Sequence, residues 1–236
     1  MFPIRDESPT ATRPVVVPIL IALNAAAWVL LQGLGNDPTL ASSVCSFGLI
    51  PGELLGTVPA GARVALGPDV ACVVDGESWF TPLSSMFMHG GWLHLIGNMW
   101  FLWVFGDNVE DAMGHGAFLL FYLICGLAAA AAQTISSPGS AMPMVGASGA
   151  IGGVMGAYAI RFPNHRIDVL FFFGFFIRVI PLPAWAMLGY WFAIQLLSTF
   201  GPSEGGGVAF WAHIGGFAVG AALALPLMRV HQRAVA

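Results

Sequence analysis

The chain has 236 residues, of which 57% are hydrophobic and only 8% are charged, and its mean hydropathy is +0.80. Because soluble domains carry about a quarter charged residues, this composition excludes an ordinary soluble domain and indicates a membrane protein that crosses the bilayer several times. The net charge of −4 is small and scattered along the chain, which excludes nucleic acid as a partner.

Six apolar segments have about the length that a membrane-spanning helix needs, which is about 20 residues. They predict an all-α fold, namely a polytopic membrane helix bundle of six transmembrane helices. The predicted spans are residues 14–34, 92–112, 117–133, 145–160, 182–200 and 208–228.

A long first loop, residues 35–91, separates the first two predicted spans. It ends in SWFTPLSSMFMHGG, and these aromatic residues predict a partly membrane-embedded loop whose last part lies at the interface. The loop carries Cys45 and Cys72, which allow one disulfide bridge; we favour two unpaired thiols over that bridge.

A further apolar segment, IDVLFFFGFFIRVI, covers residues 167–180 and precedes Pro181 and Pro183. With 14 residues it is too short to cross a bilayer. We therefore expect an interfacial or re-entrant segment here in preference to a seventh span.

The arginines orient the bundle. If the N-terminus is cytoplasmic, seven of the eight arginines fall on the cytoplasmic side, and only Arg63 falls outside, in the first loop. This is the positive-inside pattern, and both termini are then cytoplasmic, as an even number of spans requires. The seven are Arg5, Arg13, Arg161, Arg166, Arg178, Arg229 and Arg233.

The fourth predicted span carries Ser148 in its first turn, within MVGASGAIGGVMGAY. The span is short, since about 16 residues at about 1.5 Å each reach about 24 Å of a hydrocarbon core of about 30 Å. If Arg161 holds the inner end at the interface, the outer end lies several Å below the membrane surface. It must then border protein or a wet cavity, because lipid cannot satisfy free backbone N–H groups. Such a helix N-terminus favours developing negative charge.

Small residues predict that the fourth and sixth spans touch, because small faces let membrane helices approach closely. Both spans start outside, so His213 lies at about the depth of Ser148. The residues on these faces are Ser148, Gly152 and Gly156, the pair Gly149 and Gly153, and His213, Gly216 and Gly220 of the sixth span.

Ser148 and His213 together suggest nucleophilic catalysis. A serine or glycine face in a membrane helix is usually a packing feature, whereas a histidine inside a span is by default a functional hypothesis. An imidazole beside a hydroxyl can take the hydroxyl proton and return it to a leaving amine.

The second predicted span supplies candidate donors for the oxyanion of such a reaction. His94 and Asn98 are four residues apart on one face, near the outer end of this span. The alternatives are a cavity-lining histidine and an asparagine that joins two helices. We expect His89 to be structural and Glu110, near the inner end, to tie loops through hydrogen bonds.

Four motifs, HGGWLHLIGN, FGDNVEDAMG, GASG and AHIGG, occur in this order between Phe80 and about Gly220. In these motifs the chain resembles the rhomboid family of intramembrane serine proteases. The resemblance implies that Ser148 is the nucleophile and His213 the general base of a dyad without a third acid. It also implies that His94, Asn98 and the Ser148 N–H form the oxyanion hole. Structural residues near the site would be His89, Glu110, Gly146, Gly149 and Gly216.

The resemblance further implies a single rhomboid-like membrane domain over residues 1–236, with its core at about 77–229 and a place in the bacterial inner membrane. Its partners would be transmembrane protein substrates, cleaved near their outer end at small residues, and the lipid bilayer. It implies no cofactor and no metal, and it leaves the oligomeric state open.

Two positions depart from the family pattern. Phe80 follows Trp79 where many members have arginine, which predicts a different brace for the first loop. Gly152 stands where many members have an aromatic residue that stacks on the histidine. His213 would therefore be held more loosely or by another neighbour.

Other functions fit less well. The chain lacks the HExxH motif of metal-dependent proteases, and Asp107 and Asp111 lie at one helix end without a partner aspartate in another span, unlike aspartyl proteases. A zinc site of three histidines, His89, His94 and His213, would lack a nearby carboxylate. No inverted repeat or charged midplane site indicates a transporter. The remaining alternative is a non-catalytic rhomboid-like protein that binds membrane clients.

Overall fold

The computed structural model describes residues 2–66, 71–74, 76, 79–173, 176–200 and 209–228. Most of these residues are helical, and the longer helices pack as a bundle. In chain order the elements are β1 (Phe2–Asp6), α1 (Val16–Leu30), α2 (Thr39–Phe47), α3 (Pro51–Leu54), β2 (Arg63–Ala65), β3 (Ala71–Val73), α4 (Thr81–Ser84), α5 (Trp92–Met113), α6 (His115–Ser136), α7 (Ser148–Arg161), β4 (Arg166–Phe173), β5 (Phe176–Pro183), α8 (Ala184–Ser198) and α9 (Phe210–Leu227).

Each of the six predicted spans overlaps one of the longer helices, α1 and α5 to α9. Among the described residues, α6 with 22 residues and α9 with 18 are long and apolar enough to cross a membrane. The apolar helices α1 and α8 are shorter, with 15 residues each. The helical bundle is thus confirmed, whereas the number of spans stays a prediction.

Helix α7 lies at the centre of the bundle, because every residue from Gly149 to Tyr158 is buried. A helix without a polar face is buried on all sides, and α7 is enclosed by α5, α6, α8 and α9. The fully buried side chains around it include Phe105 of α5, Phe121 and Tyr122 of α6, and Val154 of α7 itself.

Helices α7 and α9 make the close contact that the glycine pattern predicts. A Cβ atom at Gly216 would lie 1.9 Å from the backbone oxygen of Gly149, and one at Gly220 would lie 2.0 Å from that of Gly153. Since no side chain fits at these points, the backbones touch directly, which is the geometry of small-residue helix contacts.

A three-stranded antiparallel sheet corrects the all-α prediction, and its strands β4 and β5 lie within the segment of residues 166–183, whose expected place at the membrane interface stays a prediction. Strands β4 and β5 form a hairpin over this segment, and β1 pairs with β4 on its other side. The segment is rich in aromatic and β-branched residues, which favour strands. Its partner β1 comes from the other end of the chain, with Arg5 donating to Asp168 at 2.8 Å.

The first loop is held by a disulfide between Cys45 and Cys72, so our preference for two unpaired thiols was wrong. The bridge joins α2, which carries Cys45, to strand β3, which carries Cys72 and pairs with β2. Phe80 packs edge-on against Phe47 at 6.4 Å between ring centroids. This contact and the disulfide brace a loop that lacks the arginine of the family pattern.

The buried carboxylate of Glu110 ties the start of α1 to the end of α5. Its two oxygens accept hydrogen bonds from the backbone N–H groups of Val15, Val16 and Val17 at 2.7, 2.8 and 2.9 Å. The Nδ1 atom of His115 lies 2.6 Å from the same carboxylate. These N–H groups have no partner within a helix, so Glu110 supplies the acceptors that the N-terminus of α1 requires.

Candidate active site

Ser148 is the first residue of α7, and a glycine turn leads into it. Gly146 has a φ of +129°, a conformation that glycine adopts without strain. A Cβ atom there would also lie 2.8 Å from Nε2 of His94 and 3.4 Å from Oγ of Ser148. Gly146 therefore allows His94 and the serine hydroxyl to flank the same point.

The backbone contact between α7 and α9 brings His213 to Ser148. The distance between His213 Nε2 and Ser148 Oγ is 2.8 Å, a hydrogen-bond length. Both side chains are half-buried. A nucleophile and a base within hydrogen-bond reach satisfy the geometric condition for proton transfer between them.

Two side chains of α8 hold the imidazole of His213, and the sequence analysis missed both. Oε1 of Gln195 lies 2.7 Å from Nδ1 of His213, and the ring of Trp191 lies 5.7 Å from the imidazole, centroid to centroid. In this chain, Gln195 and Trp191 thus occupy the role of the aromatic residue that many family members carry at the position of Gly152. The sequence does contain a signal for them. Trp191 and Gln195 have i, i+4 spacing, and Gln195 is the one amide in an otherwise apolar helix.

His94 and Asn98 present unused donors beside Ser148. The backbone N–H of Gly90 donates to Nδ1 of His94 at 3.3 Å, so the ring proton of a neutral His94 lies on Nε2, the atom nearest to Gly146. The buried Nδ2 group of Asn98 has no hydrogen-bond partner among the described residues. Both side chains line a cavity of about 280 Å³ together with Ser148 and His213.

A second cavity, of about 160 Å³, is also lined by His94, Ser148 and His213. Half of its lining residues are small ones from α6, from α7 and α9, and from the residues just before these two helices, and Met86 is among the larger side chains. The small lining residues are Gly126, Ala129, Ala130, Gly146, Gly149, Ala150, Ala209 and Ala212. A space with such walls fits a small apolar side chain.

His89 and Glu110, the two residues with expected structural roles, lie outside both cavities. The backbone of His89 exchanges two hydrogen bonds with the side chain of Gln32, at 2.7 and 2.8 Å. Its buried ring packs on that of His94 at 5.1 Å. Among the described residues, no group of three His, Cys, Asp or Glu side chains could hold a metal ion.

The arrangement can stabilise negative charge at one point. The donors of His94 and Asn98 line the same cavity as Ser148, so a negative charge that forms there would have two hydrogen-bond donors within that cavity. Such preorganised donors supply a large part of the rate enhancement in acyl transfer.

Comparison with known proteins gives one consistent result. The family model described as "Rhomboid domain" matches residues 76–230. Rhomboid protease GluP of Bacillus subtilis (strain 168) is 35% identical over 163 residues, which are 69% of this chain and 30% of that protein. RHOMBOID-like protein 4 of Arabidopsis thaliana is 28% identical over 225 residues, which are 91% of this chain and 53% of that protein. The mitochondrial presenilin-associated rhomboid-like protein of Homo sapiens is 31% identical over 91 residues, or 38% and 24% of the two chains.

The chain thus spans about half or less of the length of these relatives. The family model covers more than half of the chain and includes α5 to α9, the helices that build the site. This chain belongs to the rhomboid family of integral membrane proteins.

Proposed function

We propose that the protein is an intramembrane serine endopeptidase that cleaves transmembrane segments of other membrane proteins with a Ser148–His213 dyad. The observation that carries the proposal is the 2.8 Å contact between Ser148 Oγ and His213 Nε2 beside the unpaired Asn98 amide. A non-catalytic client-binding protein would not require a hydroxyl, a base and free donors at one point.

In the proposed reaction, Ser148 Oγ attacks the carbonyl carbon of the scissile bond while Nε2 of His213 takes its proton. The oxyanion is bound by the Ser148 N–H, by Nε2–H of His94 and by Nδ2–H of Asn98. Collapse of the intermediate breaks the C–N bond, and His213 gives the proton to the leaving amine. Water activated by His213 then attacks the acyl-enzyme, and the returned proton restores Ser148.

The proposed topology has six spans, with both termini in the cytoplasm of a bacterium and the protein in the inner membrane. Arginines support it, since Arg161 ends α7 and three more, Arg5, Arg166 and Arg178, lie on the strands of the sheet. The hydrogen bond from Tyr158 to Asp6 joins this end of α7 to β1. The Cys45–Cys72 bridge lies in the first loop, which pairs with the chain just before Ser148 through Leu49 and Met144. Disulfides persist outside the cytoplasm, so this end would face outward.

A substrate preference for small residues follows from the cavity of about 160 Å³ with its glycine and alanine walls. Met86 also lines this cavity and packs closely on Gly126 of α6, where a Cβ atom would lie 2.2 Å from the Met86 Cε atom. A peptide bond can reach Ser148 only when the substrate helix unwinds locally, because helical backbone groups are already paired.

The test is labelling of the purified protein in detergent with a fluorescent fluorophosphonate, together with cleavage of a model single-span substrate. Wild-type protein should be labelled and should cut, whereas Ser148→Ala should do neither while keeping its thermal unfolding temperature. Cleavage at the wild-type rate by Ser148→Ala would refute the dyad. A wild-type protein that binds the substrate without cutting it would support the client-binding alternative.

A further inference from the structure

The strongest feature without an assigned role is the contact between His213 and Gln195 of α8. Gln195 is 8% exposed, and α8 is otherwise an apolar helix. A polar amide in an apolar environment is costly unless it is hydrogen-bonded. Here its Oε1 atom lies 2.7 Å from Nδ1 of His213, on the opposite side of the ring from Ser148.

This contact decides which nitrogen of His213 carries the proton. An amide oxygen only accepts hydrogen bonds, so Nδ1 of His213 must be the donor to Gln195. In the neutral ring, Nε2 is then the acceptor, which is the state in which it can take the proton of Ser148. Without an acceptor at Nδ1, a part of the neutral His213 would carry its proton on Nε2, and the ring in that form cannot take the proton of Ser148.

The same helix face also restricts rotation of the ring. Trp191, one turn before Gln195, packs on the imidazole at 5.7 Å and an interplanar angle of 39°. On α7, Gly152 has no side chain that could do this, and a Cβ atom there would lie 3.1 Å from the backbone oxygen of His213. In this chain the side chains that hold the imidazole of His213 therefore come from α8.

We infer that Gln195 is a positioning residue that fixes the tautomer and orientation of His213 for proton transfer from Ser148. The inference rests on the proposed function. Gln195 takes no proton in the reaction; its amide dipole keeps Nδ1–H in place before and after Nε2 is protonated.

A neutral partner has a consequence for pH dependence. Around His213, the facing groups are Ser148 of α7, His94 of α5, and Gln195 and Trp191 of α8; no charged side chain lines this cavity in the described part of the chain. A carboxylate in place of Gln195 would therefore add the one negative charge next to the imidazole and favour its protonated form.

The experiment compares Gln195→Met, Gln195→Glu and the matched control Gln133→Met. Gln133 lies on α6, and its buried Oε1 has no partner among the described residues, so the control removes an amide from a span without touching His213. For each protein we would measure kcat and KM with a single-span substrate from pH 5 to 9, the fluorophosphonate labelling rate, and the unfolding temperature.

We expect kcat of Gln195→Met to fall about 10- to 100-fold with an unchanged KM, less than the about 10⁴-fold loss when the acid of a full triad is replaced. Gln195→Glu should stay active, with the acid limb of its kcat profile about 1 pH unit higher. The control should keep the wild-type kcat and profile. A purely structural role would lower the unfolding temperature without moving the acid limb.

Two results would overturn the inference. If Gln195→Met cuts within twofold of wild type, or if the acid limb of Gln195→Glu coincides with that of wild type, Gln195 does not position His213, and the dyad proposal stands. If wild-type protein is neither labelled nor active, the proposed function fails as well, so the two failures are distinguishable.

Discussion

The two ends of α7 differ in whether the polar groups around them are hydrogen-bonded. At one end, the hydroxyl of Tyr158 donates to Oδ2 of Asp6 at 2.6 Å, and Nδ2 of Asn108 donates to the same oxygen at 2.7 Å. At the other end, Ser148 begins the helix next to Asn98, whose buried amide nitrogen has no partner among the described residues. One end is closed by mutual hydrogen bonds, and the other borders cavities.

Helix α5 repeats this contrast along its own length. Glu110 is saturated by three backbone N–H groups and His115, whereas His94 and Asn98 turn their donors to the Ser148 cavity. Saturated polar groups stabilise a fold, because leaving them unpaired would cost about 1–3 kcal/mol each. Donors that the fold leaves open are available for charge that arises only in a transition state.

The largest expected effect is the loss of turnover in His213→Ala. Because His213 is the proposed general base, kcat should fall by at least about 10⁴-fold, while the unfolding temperature stays near that of wild type. The matched control is His115→Ala at the other end of the bundle, which should keep the wild-type kcat. Substrate cleavage in detergent measures both, and residual cleavage within tenfold of wild type would contradict the role of His213.

Glu110→Ala should give the opposite result, a large loss of stability with little change in the chemistry. It leaves the N–H groups of Val15, Val16 and Val17 without acceptors, at an expected cost of about 3–5 kcal/mol in the free energy of unfolding. Denaturation in mixed micelles measures this cost. Glu110→Gln, which keeps an acceptor oxygen, should lose less, and equal stability of all three proteins would show that the carboxylate does not hold α1.

Substitution of the unpaired donors at the Ser148 cavity should lower the rate of cleavage without lowering stability. His94→Ala and Asn98→Ala should each lower kcat about 10- to 1000-fold, the scale of a lost oxyanion donor. Asn108→Ala is the matched substitution of an amide that lies on the same helix but is hydrogen-bonded to Asp6. It should lower stability and leave kcat unchanged. Unchanged rates in both donor variants would remove these side chains from the site.

The contrast also explains how much could be predicted from sequence. The meeting of Ser148 and His213 follows from glycine spacing on two helices, a local and periodic signal. The pairing of β1 with β4 could not be predicted in this way, because the two strands are separated by about 160 residues and neither shows a partner in its own sequence. The pairing of β4 with β5 is local, and it was missed because we interpreted this apolar segment by its length alone. The Cys45–Cys72 pairing depends likewise on how the first loop folds back.

The contact of Gln195 with His213 was missed for a related reason. Helix α8 is apolar on nearly all sides, so its sequence does not show which face turns towards the bundle. Only the packing of α8 against α9 determines that Trp191 and Gln195 face the imidazole. A contact of this kind can be found only from the tertiary packing.

The smallest expected effect concerns pH at the closed end. Burial raises the pKa of Asp6 from its ordinary value of 3.8 to about 6, with the Tyr158 hydrogen bond opposing this shift. Because the folded pKa lies above the unfolded one, Asp6 contributes stability fully below about pH 4, and the contribution disappears as the pH rises through 6. At this half-exposed position we expect a difference of about 1 kcal/mol.

The measurement is the unfolding temperature, with limited proteolysis of the N-terminal strand, between pH 4 and 8. In wild type, the strand should be most resistant at the acid end of this range and less so above pH 6. Asp6→Asn should lose this pH dependence, whereas Asp37→Asn, a matched substitution in the first loop, should keep it. A wild-type strand that is equally resistant at pH 4.5 and 7.5 would mean that Asp6 keeps an ordinary pKa, and that the closed end is held by Tyr158 and Asn108 regardless of charge.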